Sequence, residues 1–100
     1  MPENAQEPPT RLHARIKGRV QGVGFRYFVL QCANERGVSG WVRNRWDGSV
    51  EVVAEGTRSR LEGLVSDLRR GPRSSFVSDL KLDWGGEPTG YTRFDIRRTG

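Results

Sequence analysis

Leu12-His13-Ala14-Arg15-Ile16-Lys17-Gly18-Arg19-Val20-Gln21-Gly22-Val23-Gly24-Phe25-Arg26-Tyr27-Phe28-Val29 changes its period midway. From Leu12 to Lys17 the apolar Leu12, Ala14 and Ile16 alternate with His13, Arg15 and Lys17, the period-two pattern of a half-buried strand. Gly18, Gly22 and Gly24 interrupt it. Beyond them Phe25, Phe28, Val29, Cys32 and Ala33 recur at i, i+3, i+4, i+7 and i+8, one face of an amphipathic helix, which Gly37 closes.

Outward from this unit, Val38 to Arg45 and Ser49 to Glu55 read as two strands joined around Asp47-Gly48, a pair that tolerates the positive φ of a tight hairpin. Gly56 ends the third strand. Leu61, Leu64, Val65 and Leu68 resume helical spacing, with Thr57 or Ser59 as the cap and Glu62 as a candidate capping-box partner, and Gly71-Pro72 stops the helix. Phe76, Ser78, Leu80, Leu82 and Trp84 alternate as a fourth strand, and Phe94 and Ile96 mark a short fifth one after a Gly-rich loop. The order is βαββαβ with a terminal strand, which predicts an α+β, ferredoxin-like two-layer sandwich: an antiparallel sheet with two helices on one face. A right-handed crossover through the first helix makes strands one and two parallel with strand three between them. The Gly-rich turn and the end of strand two around Asn44 thus become neighbours.

One hundred residues fit a single domain, expected over residues 11–100 and preceded by a mobile tail over residues 1–10. That tail carries Pro2, Glu3, Glu7, Pro8 and Pro9 and no apolar run, so it reads neither as a signal peptide nor as a membrane span. Seventeen Lys and Arg against twelve Asp and Glu leave a charge of +5, a field that draws anions of any kind. With Cys32 as the one cysteine and His13 as the one histidine, no intramolecular disulfide and no thiolate metal site can form, and a reducing cytoplasm is the expected compartment.

Chemistry concentrates at two places. The turn from Gly18 to Arg26 lies between a strand and a helix, where unpaired backbone N–H groups make an anion site and glycines let the chain curl around an oxyanion. Arg26, in the first helical turn, adds a planar fork of donors that suits two phosphate oxygens. A plain connector followed by an exposed arginine is the alternative. Asn44 shares strand parity with Val38 and Val42, which leans its amide towards the helix-covered side at the sheet's rim. There it either orients a water or serves as an ordinary turn residue.

Gly18 to Arg26 resembles the first signature of the acylphosphatase family, and Gly40-Trp41-Val42-Arg43-Asn44, with Gly48, Val50 and Gly56 at their offsets, resembles the second. The similarity continues through Leu61-Glu62, Leu68 and Gly71-Pro72 and leaves only the tail unmatched. The resemblance implies hydrolysis of the carboxyl–phosphate bond of an acyl phosphate. It implies a phosphate held by the backbone of Val20, Gln21, Gly22, Val23, Gly24 and Phe25 and by Arg26, with Asn44 placing the attacking water. No cofactor, metal, nucleic acid or membrane partner is expected, and the chain should act as a monomer on a small acyl phosphate. A carboxylate leaves as a weak base, so the missing acid–base pair agrees with this chemistry.

Two other functions compete. RNA-recognition domains share the βαββαβ order, and Gln21 to Phe28 echoes their aromatic motif, but that motif belongs on the third strand and here it opens the first helix. The open-face positions His13, Arg15, Lys17, Glu51, Val53 and Glu55 offer no aromatic platform. Acylphosphatase-like modules also begin larger hydrogenase-maturation proteins that handle carbamoyl phosphate, and the length of this chain argues against that reading. His13 is expected at the surface and Cys32 in the core. Arg15, Lys17 and Arg43 are expected on a solvated face, while Trp41, Trp46 and Trp84 are candidates for packing or for lining an acyl group.

Overall fold

The computed structural model describes residues 7–100. β1 (Pro9–Arg19) buries Leu12, Ala14 and Ile16 completely. α1 (Phe25–Arg36) presses Phe25, Val29, Cys32 and Ala33 onto them, and Gly37 closes it in the left-handed conformation. β2 (Ser39–Asn44) and β3 (Val50–Thr57) form the expected hairpin. At its tip the Asp47 carboxylate accepts from the Ser49 N–H at 2.9 Å and from the Ser49 hydroxyl at 2.6 Å, a local bond typical of turn aspartates. α2 (Arg58–Arg70) adds Leu61, Leu64 and Leu68 to the same core. Each fully buried aliphatic side chain there contributes about 1.5–3 kcal/mol.

β4 (Phe76–Trp84) and β5 (Phe94–Ile96) complete a five-stranded sheet in the order β4-β1-β3-β2-β5. β3 runs antiparallel to both β1 and β2, which brings the ends of those two strands to one edge, as the crossover argument requires. The short terminal strand pairs parallel to β2, so the sheet is mixed. The helices are clasped by Arg36, whose Nε and Nη2 donate to the two Asp67 oxygens at 2.7 and 3.1 Å.

Several local expectations change. Pro9 and Thr10 belong to β1 and not to a tail, and the Glu7 carboxylate accepts from the Ser59 N–H at 2.9 Å; residues 1–6 of the expected tail lie outside the described residues. Thr57 is the cap of α2, accepting from the Arg60 N–H at 3.3 Å, while Glu62 forms no capping box and instead accepts from Arg58 at 2.9 Å. The register of β1 on β4 shifts between Lys17 and Gly18. Past that bulge the parity of β4 flips, so Val77 packs on the core and Phe76 is 67% exposed. Cys32 is buried as expected, and burial together with the neighbouring Asp67 pushes its thiol up to about 11, far from a reactive thiolate at neutral pH. No helix among the described residues is long and apolar enough to cross a membrane.

The face away from the helices is not simply solvated. The segment after β4 folds back over it, and Glu55, buried there, accepts from the backbone N–H groups of Thr89 and Gly90 at 2.6 and 2.9 Å. Glu51, also buried, binds His13 at 2.6 Å, Arg43 at 2.8 Å and Arg45 at 3.3 Å. Trp41 lies beneath Arg43 and Arg97 and is 7% exposed, so it offers no stacking platform to a base. Of the three expected surface cations Lys17 is exposed, while Arg15 and Arg43 are half-buried.

Burial opposes ionisation of Glu51 and Glu55, yet the hydrogen bonds from His13 and Arg43 to the first, and from Thr89, Gly90 and Tyr91 to the second, outweigh it and hold both carboxyls below the usual range. A depressed folded value stabilises the native state fully above the unfolded carboxyl's pKa of about 4.3, and that stability drains as pH falls through the lower folded values. Melting temperature should therefore drop steeply on the acid side, and Glu55→Gln should flatten that drop. A variant that melts with the wild-type acid slope contradicts the assignment.

Candidate active site

β1 delivers the chain to the sheet's edge and α1 takes it away, leaving residues 20–24 to turn between them. Gly22 and Gly24 take φ of 73° and 79°, and a Cβ at either would meet open space, so glycine serves here for backbone conformation and not for room. Gly24 is the N-cap of α1 and no side chain caps the helix, nor does an acidic residue stand in its first turn. Among the described residues the loop, turn and cap hydrogen bonds include no backbone N–H donor between Gln21 and Tyr27. A helix leaves its first N–H groups unpaired and carries the positive end of its dipole there, and the first turn of α1 borders one opening.

That opening is a cavity of about 150 Å³ lined by Val20, Gly22, Gly24, Phe25, Arg26, Tyr27 and Asn44. Liquid water takes roughly 30 Å³ per molecule, so a small tetrahedral anion and a water fit together. Arg26 pairs with no carboxylate among the described residues. Asn44, the last residue of β2, presents a buried Oδ1 that finds no donor among them either. A buried acceptor without a partner is rare enough to require a reason, and its place in the wall of an anion-sized cavity supplies one.

The side chains of Gln21 and Val23, whose backbone is expected in the cradle, turn away from this cavity. Val23 packs against the core, and the Gln21 side chain turns to the hairpin, where its Nε2 donates to the Arg45 and Ser49 carbonyls at 2.7 and 2.8 Å. This bond pair fixes the loop against the end of β2, and the sequence gives no periodic signal for it. Two further features escape sequence reasoning. Tyr27 forms part of the wall, and the terminal Gly100 brackets Asn44: its N–H donates to the Asn44 carbonyl at 3.0 Å and its carbonyl accepts from the Trp46 N–H at 3.3 Å. Trp41, Trp46 and Trp84 contribute nothing to the lining; Trp84 packs on the core beneath Arg58, 3.7 Å from its ring centroid.

A larger hollow of about 390 Å³ opens on the other face, lined by His13, Arg15, Lys81, Leu82 and Asp83. Its charges already oppose one another: His13 is bound to Glu51 at 2.6 Å and Arg15 faces Asp47 at 3.9 Å. Nothing there matches the convergent donors of the smaller cavity. Among the described residues no group of three or more His, Cys, Asp or Glu is placed to hold a metal ion.

A ferredoxin-like α+β domain with a glycine-rich turn between its first strand and helix is the class that fold and site define. More narrowly, the chain belongs to the acylphosphatase family, whose model matches residues 12–96. An acylphosphatase of Salinibacter ruber is 46% identical over 88 residues, which cover 88% of this chain and 93% of that protein. The crystal structure of the acylphosphatase from Bacillus subtilis superposes with a TM-score of 0.86 at 41% identity, covering 88% of this chain and 98% of the other. Full-length HypF in its phosphate- and nucleotide-bound form contains a similar unit, with a TM-score of 0.85 at 26% identity over 92% of this chain but only 12% of HypF.

Proposed function

We propose that this protein hydrolyses acyl phosphates to a carboxylate and inorganic phosphate, with Arg26 and the backbone of residues 20–25 holding the phosphate and Asn44 positioning the water. One observation carries the reading: an arginine and an amide oxygen, both without partners among the described residues, line one small cavity at an uncapped helix N-terminus. The water oxygen forms a bond to phosphorus on the side opposite the acyl oxygen. The P–O bond to the acyl group breaks, its electron pair leaves with the carboxylate, and the water's proton passes to a phosphate oxygen. Because phosphoryl transfer has a loose transition state, the work left to the protein is positioning and charge stabilisation. Arg26 and the loop N–H groups supply the second, and Asn44 the first, by accepting a hydrogen bond from the water at Oδ1.

The same reading takes the enzyme as a monomer in a reducing cytoplasm, needing no cofactor. Its test is release of phosphate from benzoyl phosphate in the presence of EDTA. Turnover should continue undiminished. Loss of activity on chelation, with recovery on adding Mg²⁺ or Zn²⁺, would overturn the mechanism.

A further inference from the structure

Large apolar side chains stand exposed at three places among the described residues: Tyr27 at 73%, Trp46 at 83% and Phe76 at 67%. All three lie at the end of the sheet that carries the cradle. Tyr27 is the second residue of α1, Trp46 follows Asn44 by two positions, and Phe76 pairs with Arg19 at the end of β1. Elsewhere the molecule covers its aromatic rings, as at Phe25, Trp41 and Phe94. Of the three, Tyr27 alone lines the cavity.

A phosphate seated on the loop N–H groups cannot bring its acyl group inside with it. The cavity offers only about 150 Å³ and must hold the attacking water beside the phosphate, so the acyl group extends toward its rim, which Tyr27 helps to form. Most of the Tyr27 side chain is open to solvent. An apolar ring exposed at the rim of such a site costs solvation unless the ligand covers it. Among the described residues no arginine is stacked on Tyr27, whereas Trp41 has two and Phe28 and Trp84 one each. Its face is therefore available to a ligand.

We infer that Tyr27 is a specificity-determining residue, whose ring packs against the acyl group and favours acyl phosphates with flat, apolar acyl groups over those with a small one. The inference rests on the proposed function and adds to it what selects the substrate. An offset or edge-to-face ring contact is worth about three- to tenfold in binding.

The experiment compares kcat/KM for benzoyl phosphate and acetyl phosphate in the wild type, Tyr27→Ala and Tyr27→Phe. The benzoyl-to-acetyl ratio should fall about three- to tenfold in Tyr27→Ala, through KM for benzoyl phosphate and not through kcat, and Tyr27→Phe should keep the wild-type ratio. A Tyr27→Ala enzyme with the wild-type ratio overturns the inference while leaving the hydrolytic reading intact. So does a Tyr27→Phe enzyme that loses the ratio as fully as Tyr27→Ala. Wild-type enzyme inert on both substrates overturns the hydrolytic reading, and this inference with it.

Discussion

Arg26→Lys should lower kcat by on the order of a hundredfold or more and raise KM as well. The guanidinium spans two phosphate oxygens with parallel N–H donors, whereas an ammonium of equal charge meets them as a point and must find its geometry anew. As charge redistributes over the phosphoryl oxygens in the transition state, the loss of the second donor is felt most there, which is why the rate suffers more than binding. Folding should be untouched, because Arg26 is bonded to no side chain among the described residues and takes no part in the core. Steady-state kinetics, a thermal melt and a phosphate titration on the same preparation check each part. A folded variant with wild-type kcat and wild-type phosphate affinity removes this loop and arginine from the active site.

Asn44→Ala should separate chemistry from binding. Its amide is assigned to the water, so kcat should fall by about 100- to 1,000-fold, while inorganic phosphate, held by the loop and Arg26, inhibits competitively as before. Stability should change little, since the side chain's Oδ1 has no donor to lose and the backbone pairing of Asn44 with Val50 and Gly100 survives truncation at Cβ. Near-normal turnover in this variant returns Asn44 to a merely structural place at the hairpin.

The parts of the fold that follow local rules were readable from residues alone. The switch from period two at Leu12, Ala14 and Ile16 to helical spacing at Phe25 and Val29 placed β1 and α1, and Asp47-Gly48 placed the hairpin. The convergence of Arg26 with Asn44 needed one more rule, the handedness of the crossover, which the strand order satisfies. What escaped was non-local. Glu51 and Glu55 alternate outward as a solvent-facing pair should, but only the return of Thr89 to Tyr91 over Glu55, and the gathering of His13, Arg43 and Arg45 on Glu51, reveal that they are buried. Phe76 was misplaced because a bulge leaves no mark in a pattern of alternation. The Gln21 bonds and the Gly100 bracket are made to backbone atoms, which no side-chain pattern announces.

The Gln21 attachment also bears on how this sequence can drift. Its amide holds the carbonyls of Arg45 and Ser49, groups that every amino acid possesses, so the anchorage survives whatever side chains those two positions carry. Trp46, between them and exposed, is likewise free of that constraint. A single glutamine thus ties the loop to the end of β2 and leaves the neighbouring hairpin tip open to variation. Lineages of such a chain can trial new surfaces around the mouth of the cavity without first disturbing the frame that holds it.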